Sequence, residues 1–311
     1  MEGNNGKTGL NRPANPVDSA SYFGGAQNNR SPSSTTQTKT KTASGGEITT
    51  TSPIIPVQGG AQRTLSFATS SIERVSLSLI GNNNRPLNAQ VELLQGADNI
   101  PQRMSVFSED GTKYPVSLAI ETPGSGNAIR LKNTSPMDFP LAAGVDAEIN
   151  DQENTGIQND SGINWIINTL SEVSTPSIVQ GDSGVRTYPF GNNVESVQVL
   201  LKTDGAPMNA RIELTQGPND IKQIIEVYTE DGNRRPCYAV FETPGNLEYV
   251  VRVVNTSPME FPLTAYVLEH SFDESSSGNG NGSINVVVGR QQQQQQQQSP
   301  FSNSKSTAVS F

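Results

Sequence analysis

The sequence predicts an all-β protein: two tandem homologous β-sandwich-like domains with a pseudo-two-fold relation, one short linker helix and disordered polar tails. Three observations predict it. Residues 86–124 match residues 207–245 without a gap, and 18 of the 39 positions are identical. Inside both copies, apolar and polar residues alternate with period two over short runs, the signature of half-buried strands. Turn-forming residues separate those runs, and Gly and Pro together supply 48 of 311 residues.

Residues 1–46 are mostly Asn, Ser, Thr and Gly. Such a segment buries too little apolar surface to offset its ordering entropy, so a disordered tail is expected. The first β-domain is placed at 47–148, its repeat proper near 55–148. Val75, Leu77 and Leu79 alternate with Arg74, Ser76 and Ser78, and Ala89, Val91 and Leu93 with Gln90 and Glu92. Further strand runs lie at 114–121, 128–133 and 141–147. Gly81-Asn82-Asn83-Asn84, Glu109-Asp110-Gly111 and Thr122-Pro123-Gly124 mark turns between them. About seven strands per copy fit a β-sandwich.

The linker, 149–176, holds one helix candidate, Gly162–Val173, with Ser161 as N-cap. Ile163, Ile166, Ile167, Leu170 and Val173 form an apolar stripe. Trp165, the single tryptophan, lies off its centre. Two readings are open: the helix packs across the sandwiches, or Trp165 anchors a neighbouring chain. The second β-domain, 177–270, repeats the first, with Val197, Val199 and Leu201 and then Ala210, Ile212 and Leu214 in the alternating positions. The tail 271–311 is low in complexity, with eight glutamines at 291–298 and one strand-like run, Ile284–Val288. That run and Ile48–Val57 are suited to add to an exposed sheet edge of a neighbour.

Composition excludes several chemistries. Cys237 is the single cysteine and His270 the single histidine. An intrachain disulfide is impossible, and a dedicated protein zinc site or a His-dependent hydrolase triad is not expected. His270 reads as solvated, at the edge of the second repeat. No catalytic, metal or cofactor-binding residues are assigned, and no cofactor. Lys7, Arg12, Arg30, Lys39 and Lys41 face Glu2 and Asp18 in residues 1–46, and the tail from 271 is neutral. Of the formal charge of −9, the middle therefore carries about −12. An acidic body argues against nucleic acid as a partner. No apolar run reaches the roughly 18–20 residues of a membrane span. The N-terminal residues carry neither an apolar signal core nor an Arg-rich transit pattern.

Three motifs occur in both copies. Glu-Asp-Gly, at 109–111 and 230–232, reads as a hairpin turn rather than a carboxylate site. Asn133-Thr134-Ser135 and Asn255-Thr256-Ser257 match the glycosylation sequon, but Pro follows each, and a strand end running into a turn is the reading adopted. Asn-Thr-Ser-Pro-Met-Asp-Phe-Pro-Leu at 133–141 meets Asn-Thr-Ser-Pro-Met-Glu-Phe-Pro-Leu at 255–263. Its two prolines exclude a central strand. Its Met and Phe either pack under the sandwich end or form a knob for a neighbouring protomer. Candidate self-association residues are therefore Trp165, Pro136, Met137, Phe139, Pro258, Met259 and Phe261.

The duplicated β-domain with these Pro-Met-x-Phe-Pro segments and with Glu121-Thr122-Pro123-Gly124 and Glu242-Thr243-Pro244-Gly245 resembles the pyrenoid shell proteins of diatoms and related algae, over about residues 50–270. The resemblance implies a structural protein without cofactor or catalytic site, forming a sheath around the Rubisco matrix of the chloroplast pyrenoid. Its partners would be itself and the Rubisco matrix. The duplication itself leads to the same class, since similar surfaces facing two ways allow a contact that extends instead of closing. Two rivals are a tandem sandwich module binding a carbohydrate or peptide, weakened by the 6% aromatic content, and an enzyme such as a carbonic anhydrase, weakened by the lack of ligands.

Overall fold

Strands form wherever the alternating runs put one face inward, and they pair into two antiparallel layers. The computed structural model describes residues 38–41, 47–50, 54–67, 72–135, 139–149, 163–257, 261–271 and 287–288. In chain order the first strands are β1 (Thr38–Lys41), β2 (Glu47–Thr50), β3 (Ile55–Val57), β4 (Gln62–Ser66), β5 (Ile72–Ile80), β6 (Leu87–Gln95), β7 (Gln102–Ser108), β8 (Val116–Glu121), β9 (Asn127–Asn133) and β10 (Leu141–Ile149). After α1 (Ile163–Val173) come β11 (Ser177–Val179), β12 (Gly184–Phe190), β13 (Ser196–Lys202), β14 (Met208–Gln216), β15 (Asp220–Thr229), β16 (Cys237–Glu242), β17 (Tyr249–Asn255), β18 (Leu263–Ser271) and β19 (Val287–Val288).

Sheet I runs β11-β18-β13-β16-β8-β5-β10-β3, with β19 added to β18, and sheet II runs β12-β17-β14-β15-β7-β6-β9-β4. Strands β1 and β2 pair separately. Each repeat supplies eight strands to the sandwich, four per layer, where about seven were expected. The strand order reads the same from either end: β3 corresponds to β11, β10 to β18, β5 to β13 and β8 to β16, and sheet II follows the same rule.

Both sheets run unbroken from one repeat into the other. In sheet I, β8 pairs with β16, and Leu118 stands opposite Ala239. In sheet II, β7 pairs with β15, and Ser105 stands opposite Glu226. Each of these pairs joins residues 121 positions apart, the offset of the repeat match. A local two-fold therefore passes through both layers at these points. One hydrophobic core crosses the junction, with Leu77, Val91, Leu118 and Ile129 on one side and Val199, Ile212, Phe241 and Val253 on the other. Each such side chain adds roughly 1.5–3 kcal/mol by leaving water.

Buried polar groups follow the same symmetry. Gln102 Nε2 donates to the carbonyls of Arg235 (3.2 Å) and Pro236 (3.3 Å), and Gln223 Nε2 donates to the carbonyl of Pro115 (3.2 Å). The two glutamines are repeat equivalents, at most 1% exposed, and each bonds into the other half. The Tyr114 and Tyr249 hydroxyls meet at 3.2 Å across the same junction.

The Glu-Asp-Gly segments are turns, but between layers: β7 lies in sheet II and β8 in sheet I, so they do not close hairpins. Asp110 Oδ1 accepts from the amides of Thr112 (2.9 Å) and Lys113 (3.1 Å), and Asp231 Oδ1 accepts from those of Asn233 and Arg234, both at 3.0 Å. The glycine is required by space. A Cβ on Gly111 would sit 2.8 Å from Gly81 Cα, and one on Gly232 would sit 2.5 Å from Thr203 Oγ1. The run Ile48–Val57 holds β2 and β3 as separate strands, with Pro56 inside β3.

Helix α1 starts at Ile163, one residue later than the apolar stripe suggested. It packs on the outer face of sheet I. Leu170 is fully buried there among Leu200, Tyr238, Val240, Tyr266 and Leu268, with Ile167 beside them, while Val173 is 41% exposed. The Ser171 hydroxyl lies 3.2 Å from that of Tyr266.

Because no boundary interrupts either layer, thermal unfolding is expected as one transition with equal calorimetric and van't Hoff enthalpies. Calorimetry checks this, and two resolved transitions would show that the halves stand independently. Residues 47–148 alone would present β7 and β8 as free edges, and this fragment is expected to associate through them.

Candidate functional site

The repeated Asn-Thr-Ser-Pro segment is first a staple. Asn133 and Asn255 are fully buried. Asn133 Nδ2 donates to the carbonyls of Val57 (3.0 Å) and Phe139 (2.6 Å), and Asn255 Nδ2 to those of Val179 (3.1 Å) and Phe261 (2.7 Å). Their Oδ1 atoms accept from the amides of Ser135 and Ser257, each at 3.1 Å. One amide thus ties a strand end, the short edge strand and the Phe loop together. Its burial leaves no room for a glycan. A strand end followed by a turn is what the structure shows.

The two phenylalanines held this way differ in cover. Phe139 is half-buried, and the Arg85 guanidinium lies 4.6 Å from its ring centre. Ala206 occupies the position equivalent to Arg85, and Phe261 is 45% exposed. Pro136, Met137, Pro258 and Met259 lie outside the described residues, as does the side chain of Trp165, whose backbone is in α1.

Other exposed apolar residues share the Phe261 end. Ile178 on β11 is 46% exposed and Val185 on β12 is 44% exposed. Their counterparts at the opposite end are Pro56 and Gln62. Strands β3, β4, β11 and β12 are the outermost strands of the two layers. The two ends are topologically equal, but the second exposes Phe261, Ile178 and Val185 where the first has half-buried Phe139, Pro56 and Gln62.

The outer face of sheet I differs in the same sense. In sheet I the first repeat carries Arg74 between two carboxylates, with Nε donating to Glu121 (2.8 Å) and Nη1 to Glu148 (3.2 Å). The equivalent row of the second repeat is Glu242, Ser196 and His270. His270 is 3% exposed, with Nδ1 3.1 Å from Ser196 Oγ. This corrects the expectation of a solvated histidine: the row above it belongs to the face that α1 covers. In sheet II, Glu92 is gripped by Arg103 (2.7 Å) and Arg130, and Glu213 by Arg211 and Arg252, both at 2.7 Å. Burial opposes ionisation of Glu92, but the two arginines outweigh it and hold the carboxyl below its ordinary range. No group of three or more His, Cys, Asp or Glu among the described residues is placed to hold a metal.

The residues that organise the junction were missed in the sequence, Gln102 and Gln223 above all. Their signal was there: they are identical in the repeat match and sit in an alternating run, Gln102, Met104, Val106 and Ser108, that had not been read as a strand.

Glu242 lacks the arginine that serves Glu121. Burial, with repulsion from Glu195, pushes its carboxyl up to about 7. Its folded value lies above its unfolded one. The stability it contributes is therefore fully present below about pH 4.5 and is lost as pH rises through about 7. Glu242→Gln is expected to be more stable than the parent at pH 8, by about 1–3 kcal/mol, with the gap narrowing toward pH 5. Paired thermal melts at the two pH values check this, and an unchanging gap would contradict it.

No curated protein matches the chain. Among solved structures, the PBSX exported protein XepA is similar at 11% identity, covering 65% of this chain and 84% of that one with a TM-score of 0.22. The infectious bursal disease virus VP2 subviral particle is similar at 10% identity, covering 76% and 81% with a TM-score of 0.12. A sequence profile of the diatom pyrenoid shell protein matches residues 47–269, which span both repeats and the linker between them. The chain belongs to the diatom pyrenoid shell protein family.

Proposed function

We propose that the chain is a non-catalytic structural subunit that associates with itself into a sheet or shell lattice. This lattice would form the protein sheath around the Rubisco matrix of the chloroplast pyrenoid and support CO2 concentration and fixation. Family membership across both repeats is the observation that carries the reading. The architecture supports it physically. A two-ended sandwich with free edges at each end and unlike chemistry on the two ends favours head-to-tail contacts, which extend when the rotation does not close. The same surface is poorly suited to closed dimers, because equal ends would have to meet.

The body is acidic, so copies repel and an attraction must outweigh charge. Surface charges are screened over about 8 Å at physiological salt. Burial of exposed apolar groups such as Phe261 adds roughly 1.5–3 kcal/mol per site, and a lattice multiplies each contact. Trp165 and the Pro-Met-x-Phe-Pro segments supply the other anchors of this proposal.

Negative-stain electron microscopy at rising concentration is expected to show extended assemblies, promoted by moderate salt. A protein that stays monomeric throughout would end the proposal. Phe261→Ala and Trp165→Ala are expected to abolish large assemblies with little change in melting temperature. Phe139→Ala removes a ring packed under Arg85 and is expected to cost about 1–3 kcal/mol of stability. Light scattering and circular dichroism separate these effects, and normal assembly of the Phe261 and Trp165 variants would place the contacts elsewhere.

A further inference from the structure

We propose that the outer face of sheet II is a docking surface for an acidic protein other than this chain, whose carboxylates meet two matched pairs of arginines. Charge is divided between the layers. The strands of sheet II carry eight Lys and Arg against four Asp and Glu. Those of sheet I carry two against six. One layer is thus basic within a chain of net charge −9. Such segregation selects partners by the sign of their surface.

The arrangement turns the positive groups toward solvent. Along β7, Gln102, Met104, Val106 and Ser108 are buried, so Arg103, Ser105 and Phe107 point outward. Glu92 and Glu213 are repeat equivalents on this face. Each spends both carboxylate oxygens on arginines, Glu92 on Arg103 and Arg130, Glu213 on Arg211 and Arg252. The glutamate side chains are 8% and 7% exposed, those of the arginines 32% to 45%. The carboxylates therefore lie beneath, and the guanidinium groups above them have more N–H donors than one shared glutamate can use. Of the remaining acids on these strands, Glu226 pairs with Arg211 and Asp220 with Lys222. Lys132 on β9 adds an exposed charge. Three strand spacings and four residues along a strand separate Glu92 from Glu213, roughly 20 Å. Ile224 and Phe107 continue the row of Glu213, and Arg103 and Tyr228 that of Glu92. Arg, Tyr and Phe are side chains that protein interfaces favour. Nucleic acid fits less well, because acids alternate with the arginines and would meet roughly one phosphate charge per 1.7 Å of duplex. A second copy fits less well too: in its acidic layer Glu121 and Glu148 hold Arg74, and α1 covers the other half. End contacts through Phe261 leave the face open.

Fluorescence anisotropy of the full chain with labelled poly-L-glutamate tests this, with duplex DNA as the competing probe. Poly-L-glutamate is expected to bind more tightly than DNA and to be released as salt rises. Assembly through the apolar end responds to salt in the opposite sense. Arg103→Gln combined with Arg252→Gln leaves each glutamate one arginine and is expected to weaken binding about tenfold. Lys132→Glu, at an exposed site, is expected to weaken it too and serves if the double variant fails to fold, which circular dichroism melts report. Both variants keep the basic residues of segment 1–46, so undiminished binding by folded variants moves the site elsewhere and overturns the proposal. Tighter binding of DNA, abolished by the same variants, overturns the choice of a protein partner. Stacking of parent chains at low salt that Lys132→Glu abolishes, without binding of poly-L-glutamate, assigns the face to a second copy instead. Neither stacking nor binding of either probe overturns the docking surface itself.

Discussion

Everything in this molecule depends on two antiparallel ladders, β7 with β15 and β8 with β16, that join the repeats within both layers. Without them each half would be a four-on-four sandwich with open edges in both layers at the centre. With them, the interior becomes continuous and the side chains nearest the join are among the most deeply buried, including Leu118, Ala239, Gln223 and Phe241. Ladder bonds alone would tolerate a slip of register. The reciprocal bonds of Gln102 and Gln223 to the opposite half do not, since a buried amide loses its partner if the strands shift.

Symmetry holds inside the sandwich and fails on the outer face of sheet I. The inward rows of both repeats are aliphatic and interchangeable, because each fills the same space. The outward rows of sheet I are not constrained in this way and have diverged, while in sheet II Glu92 and Glu213 keep the matching partners Arg130 and Arg252. On sheet I, the second repeat presents Leu200, Tyr238, Tyr266 and Leu268, which α1 covers. The first repeat presents Ser78, Ser117, Gly144 and Asp146 at the matching positions. A helix with one apolar stripe can satisfy only one of two such faces, and α1 is the one helix among the described residues. Polar residues on the other face remove the need for a second. The same asymmetry marks the ends, where Arg85 covers Phe139 while Ala206 stands at the matching position near exposed Phe261.

The near-identity of the two Asn-Thr-Ser-Pro segments has its cause in the fold. Each asparagine uses both ends of its amide, two bonds from nitrogen and one to oxygen, in a site closed to water. No other side chain of that size offers the same set. Identity at these positions therefore reports a folding constraint, and the loops that follow inherit it. What a loop does at the surface depends on its neighbours instead, which is why two matching phenylalanines have different exposures.

Much of the layering was legible in the sequence, because a strand with one face in the core must alternate, and a duplication must repeat its pattern. The runs at Val75–Leu79 and Ala89–Leu93, their counterparts, the helix stripe and the turn at each Asp-Gly all follow from local periodicity and turn chemistry. The strands at the join were harder to see, since β7 carries Gln, Arg and Ser, and β15 Lys, Gln and Glu, among their apolar residues. A polar residue inside a strand has no meaning until its partner is known, and the partner of Gln102 lies 133 residues away. Of the candidate surface residues, the sequence could name Phe139 and Phe261 but not tell them apart. That distinction and the pairing of the two halves into common sheets were decided by tertiary structure alone. Periodicity determines which way a side chain points, whereas long-range pairing determines what it meets there.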